Sequence, residues 1–99
     1  MIINEVKNAD SIQLDVDGRV DTTTAPQLQN ALLTAFQKTK TIVINFDKVA
    51  YISSAGLRAL LIGQKTATSK GGSMTIINAN DSVKEVFEVT GFIDILTLA

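Results

Sequence analysis

The apolar positions of this chain change period along its length, from two to between three and four and back again. Ile12, Leu14 and Val16 alternate with Gln13, Asp15 and Asp17. That alternation predicts a strand over 11–17 with one buried face. Upstream, Ile2, Ile3 and Val6 give residues 1–7 a shorter, less regular strand pattern. The turn cluster Asn8-Ala9-Asp10 joins the two, so an antiparallel hairpin is expected. From Ala25 the spacing lengthens: Leu28, Ala31, Leu32, Ala35 and Phe36 fall on one helical stripe. The predicted helix runs from Ala25 to about Lys38. Thr24 with Gln27 fits a capping box, and Pro26 suits a first turn.

Residues 41–46, TIVINF, are apolar on both faces apart from Asn45. This predicts a central strand covered on both sides, or at least flanked by partners. A second helix is expected from near Ser54 to near Lys70, with Leu57, Leu60, Leu61 and Ala67 inward and Ala59, Ile62 and Gly63 widening the stripe. Gly71-Gly72 ends it. Residues 73–78 read as a strand. Ser82 with Glu85 forms a second capping box before a short helix carrying Val83, Val86, Phe87 and Thr90. Gly91 stops that helix, and Phe92 can pack back on its last turn. Residues 93–98 alternate weakly and fit an edge strand or a last short helix. The order predicts one α/β domain over residues 1–99. Its mixed sheet has four to five strands, mostly parallel after the N-terminal hairpin, with three to four helices.

Composition narrows the function. The 99 residues include no Cys and no His. A Ser-His-Asp triad, a thiolate nucleophile and a Cys- or His-based metal site are therefore out of reach, and no catalytic residue, metal ligand or cofactor is expected. The net charge of −1, with both signs interspersed, gives no basic face for nucleic acid. No apolar run approaches the roughly 20 residues of a membrane span, and the first residues lack the layout of a signal peptide. A cytoplasmic protein is expected.

In a parallel sheet, ligands and partners gather at the carboxyl ends of the strands. Here those ends carry the loops 18–24 and 47–54, which bring Asp21, Asp47, Ser53 and Ser54 into one region. A serine at a helix start either caps the helix or, with no histidine to make it a nucleophile, serves as a phosphoacceptor. The helix dipole tolerates the roughly −1.5 to −2 charges of a phosphoserine. With Asp21 and Asp47, such a group would turn a nearly neutral surface acidic. Arg58 follows Ser54 by one helical turn and could hold a phosphate, touch a partner or simply be solvated. The stretch SSAG lacks the leading glycine of a nucleophile elbow, and Gly71-Gly72 lacks the G-K-[ST] of a P-loop. Asp15 and Asp17 read as a solvated strand face.

The chain resembles a STAS domain, the fold of bacterial anti-sigma-factor antagonists. The resemblance spans nearly its whole length, through GRVDTTTAPQL (18–28), IVINF, YISSAGLRALL (51–61), Gly71-Gly72 and VKEVFEVTGF (83–92). It implies a partner-switching regulator: an anti-sigma factor with serine-kinase activity binds and phosphorylates it, and a PP2C-type phosphatase resets it. The family pattern D-S-[STA]-G-L puts the acceptor on Ser54, with Ser53 the neighbouring alternative, and a conserved-type glycine on Gly56. The acidic residue of GxxD falls on Asp21. Ser53 stands where the family pattern has Asp. The expected partner surface is then Asp21, Thr22, Asp47, Ser53, Ser54, Gly56 and Arg58. Two other readings share these residues: a constitutive interaction module whose serine only caps, and a nucleotide- or anion-binding domain at the helix start.

Overall fold

The alternation of residues 11–17 forms the strand it predicts, and a computed structural model describing all residues 1–99 shows what it pairs with. β1 (Ile2–Lys7) and β2 (Ile12–Asp17) make the antiparallel hairpin, in unbroken register from Ile2 opposite Asp17 to Lys7 opposite Ile12. β3 (Thr41–Lys48), β4 (Ser73–Ile77) and β5 (Thr97–Leu98) follow, each parallel to the strand before it. The sheet order is β1-β2-β3-β4-β5. Between the strands lie α1 (Ala25–Phe36), α2 (Ser54–Ser69) and α3 (Asp81–Val89). The final segment uses both of its options: a 3-10 turn at Phe92–Asp94, then the short edge strand β5.

β3 is flanked by β2 and β4, as one of its two readings expects, but the sheet is covered on one face only, which corrects the other. Ile42, Ile44 and Phe46 are fully buried, whereas Thr41, Val43 and Asn45 are half-exposed. The same parity holds in β2 and β4, where Ile12, Leu14, Val16, Met74 and Ile76 join one core with Leu28, Leu32, Phe36, Leu57, Leu60, Val83 and Phe87 of the helices. The strand order explains it. Right-handed crossovers that always advance in the same direction put every helix on the same side. Val43 is an apolar residue of the open face, and it made β3 read as two-sided.

Two helix starts also differ from expectation. α3 is capped by Asn80, whose side-chain oxygen accepts from Val83 N at 2.8 Å, and Ser82 lies inside the first turn. Thr24 makes no capping bond to α1. Its hydroxyl instead accepts from Asp21 N at 2.9 Å and donates to Arg19 O at 2.7 Å. Gln27 turns away to donate to Met1 O at 3.2 Å. α1 stops at Phe36, short of Lys38, and Lys38 reaches Glu5 of β1 at 2.9 Å. At the other end of α2, Gly71 takes a left-handed conformation, φ 68°, and Gly72 N donates back to Ala67 O at 2.8 Å, closing the helix as its glycine pair suggests.

Candidate functional site

The carboxyl ends of β2 and β3 continue as two segments that pair once more beyond the sheet. Val20 and Ile52 form an isolated parallel bridge. Val20 N donates to Tyr51 O at 3.0 Å, and Ser53 N donates to Val20 O at 2.8 Å. Gly18 N donates to Lys48 O at 3.1 Å. The third such loop joins through Asn80, whose Nδ2 donates to Val49 O at 3.1 Å. Val20 and Ile52 are apolar and buried, so their burial fixes which neighbouring side chains face out.

α2 begins directly on this bridge. Gly56, in its first turn, is buried there. A β-carbon on Gly56 would lie 2.6 Å from Val20 Cγ1 and 2.7 Å from Ile52 Cγ1. Glycine is required because the helix start and the bridge touch backbone to side chain. Gly56 therefore offers no surface to a partner, and its part in the site is to let α2 approach.

The two serines divide their roles. Ser53 is the N-cap, in extended backbone, and its hydroxyl accepts from Gly56 N at 3.4 Å. Ser54 is the first helical residue, exposed, and its hydroxyl makes no hydrogen bond within the protein. Capping thus belongs to Ser53. Thr22 and Arg58 are exposed as well, and Arg58 has no ion-pair partner.

Asp21 has a local task. Its Oδ1 accepts from Thr23 N at 3.0 Å, Thr23 Oγ1 at 2.9 Å and Thr24 N at 3.1 Å. These bonds, the Thr23 hydroxyl first and the Thr24 amide next, hold its carboxyl below the usual 3.8. Asp47 is not in this cluster. It lies beyond Asn45 on the open side of β3 and lines a hollow with Asn4, Asp15, Asp17, Asn45 and Lys48. Asp15 there accepts from Gln13 at 2.8 Å and Asn45 at 3.1 Å, which likewise hold its carboxyl below the usual 3.8. The strand pleat sends Asp47 to the sheet face that carries no helix. The expected grouping of Asp21 and Asp47 around the serines is corrected accordingly.

Two residues of the surface carried no signal in the sequence. The Arg19 guanidinium lies over the Tyr51 ring, 4.4 Å from its centroid, and its Nε is 3.8 Å from Asp21 Oδ2. The pairing spans two loops and rests on the Val20–Ile52 bridge, which local patterning does not reveal.

Residues 3–99 match the family model of the STAS domain. The chain belongs to the STAS domain family. This STAS domain is 30% identical over 98 residues to the anti-sigma-B factor antagonist of Listeria monocytogenes, covering 95% of this chain and 85% of that protein. It is 27% identical over 93 residues to the anti-sigma-B factor antagonist of Bacillus subtilis, covering 94% of this chain and 85% of the relative. Among solved structures it superposes on the anti-sigma factor antagonist SpoIIAA. The TM-score is 0.76 against the unphosphorylated form at 16% identity, covering 99% of this chain and 87% of that one. Against the phosphorylated form it is also 0.76, at 18% identity, covering 99% and 91%. At those identities the likeness is one of fold. The relatives are named as antagonists of anti-sigma factors. No helix of this STAS domain is long and apolar enough to cross a membrane.

Proposed function

We propose that this STAS domain is a cytoplasmic anti-sigma-factor antagonist that works by partner switching. The surface of Asp21, Thr22, Ser53, Ser54 and Arg58 docks an anti-sigma factor with serine-kinase activity, and Ser54 is the residue modified. In that step the Ser54 oxygen forms a bond to the γ-phosphorus of ATP, ADP leaves, and the hydroxyl proton passes to a base of the kinase. A PP2C-type phosphatase reverses the state by hydrolysis. The unmodified form holds the kinase, and the added charge releases it.

One observation carries the choice of residue. Ser54 Oγ is exposed and unbonded at the head of α2, while Ser53 Oγ is engaged with the Gly56 amide. A phosphoryl group on Ser54 meets the positive end of the helix and breaks no internal bond. On Ser53 it would displace the cap.

The test is incubation with the cognate anti-sigma kinase and ATP. Intact mass is expected to rise by one phosphoryl group, and Ser54→Ala to abolish the rise while Ser53→Ala keeps it. Unchanged mass, or modification that survives Ser54→Ala, overturns the assignment.

A further inference from the structure

The acceptor reading leaves one charged group of this surface without a part. Side chains alternate along the paired segments: Val20 and Ile52 point inward, so Arg19 and Asp21 on one segment and Tyr51 and Ser53 on the other face out together. Paired segments of this kind run about 4.8 Å apart. Arg19 is held in this row from two sides. The Tyr51 ring lies against its guanidinium at 4.4 Å, and Asp21 Oδ2 stands 3.8 Å from its Nε. Asp21 Oδ1 is already occupied by Thr23 and Thr24, which fixes the carboxylate and so the direction it offers to Arg19. Even so, no N–H of Arg19 is spent on a hydrogen bond within the protein. Its planar fork keeps all its donors for an oxyanion. Arg58, nearer to Ser54 in sequence, is exposed with nothing to orient it. A pre-placed guanidinium gives up less freedom on binding than a free one, so the two arginines are not equivalent.

We propose that Arg19, held between Tyr51 and Asp21, is the cation that binds a phosphoryl group on Ser54. The proposal rests on Ser54 as acceptor. It adds that the phosphoryl group is met by a guanidinium already in place on the facing loop rather than by Arg58 of its own helix.

The experiment installs phosphoserine at position 54 by genetic code expansion, so no kinase is needed. The second ionisation of the phosphate, ordinarily near 6, is followed by phosphorus NMR. The charged groups around it are Arg19 and Asp21 on one loop and Arg58 on α2. Asp21 is common to all variants, so differences between them isolate the arginines. Arg19→Ala is expected to raise this pKa by about half a unit or more, reduced from the 1–3 units of buried pairs because the site is exposed. Arg19→Lys should raise it by less, and Arg58→Ala should leave it in place. A phosphate pKa unmoved by Arg19→Ala, or moved as far by Arg58→Ala, overturns the proposal. A kinase that ignores Ser54 would defeat the acceptor reading and leave this titration as measured, so the two failures are distinct.

Discussion

Gly56 approaches Val20 so closely that a β-carbon on it would stand 2.6 Å from Val20 Cγ1. Through this contact the start of α2 is seated on the bridge that joins the two loops of the site. Gly56→Ala is expected to destabilise the domain by about 1–3 kcal/mol, the range of overpacking in a tight core. Removing the methyl groups it strikes, as in Gly56→Ala with Val20→Ala, should cost less than the sum of the single changes. Urea denaturation of the four proteins in that cycle checks it. Additive costs would mean that the contact is not the source of the strain.

The division of labour between the serines has a stability signature. Ser53→Ala removes the cap of α2 and is expected to cost about 0.5–1 kcal/mol, the lower part of the capping range because the bond is 3.4 Å long. Ser54→Ala breaks no bond and should stay within about 0.5 kcal/mol of the parent. Thermal or urea unfolding of both variants decides it. A larger loss for Ser54→Ala would return the capping role to that residue.

At α3 the comparison is between Asn80 and Ser82. Asn80 caps the helix at 2.8 Å and also donates to Val49 O at 3.1 Å, tying the β4–α3 connection to the loop before α2. Asn80→Ala is expected to cost about 1–2 kcal/mol for the two bonds together. Ser82→Ala, in an exposed first-turn position, should change stability by less than about 0.5 kcal/mol. Equal effects would show that the capping box read from Ser82 and Glu85 operates after all.

Asp21 and Asp15 predict how the fold responds to acid. Both carboxyls are held below the usual 3.8 by side-chain and backbone donors. A lowered folded pKa adds stability that is complete above the usual value and is lost as pH falls through the folded value. Asp21→Asn and Asp15→Asn keep an acceptor oxygen but cannot titrate. Each should flatten the fall of unfolding free energy below pH 3.8, with no change in slope at neutral pH. Denaturant melts repeated across acidic pH provide the measurement. A slope identical to the parent's would show that the carboxylate gains nothing from folding.

Much of this architecture is written locally. The period-two run of β2, the helical stripes of α1 and α2 and the glycine pair after α2 each depend on residues within a few positions of one another. Their elements formed to within two residues at either end for α1 and α2. β3 ran two residues past its apolar core, to Lys48, because the ladder with β2 extends to Asp17 opposite Lys48. The caps were less legible. S-x-x-E at Ser82 matches the motif, yet Asn80 is where the chain enters α3 from extended backbone, at ψ 171°, and its bond to Val49 crosses 31 positions.

The sequence by itself determined the α/β class, the parallel crossovers, the serine pair at the head of α2 and the exclusion of histidine and cysteine chemistry. These follow from residue type and from periods shorter than two helical turns. Only the tertiary structure decided which sheet face is covered, that Asp47 leaves the serine cluster, that Ser53 caps while Ser54 stands free, and that Arg19 lies on Tyr51. Each of these depends on strand order, on pleat parity at a strand end, or on a contact between loops about thirty residues apart. Local patterning carries no record of such relations, because the chain must first close those distances before the side chains can meet.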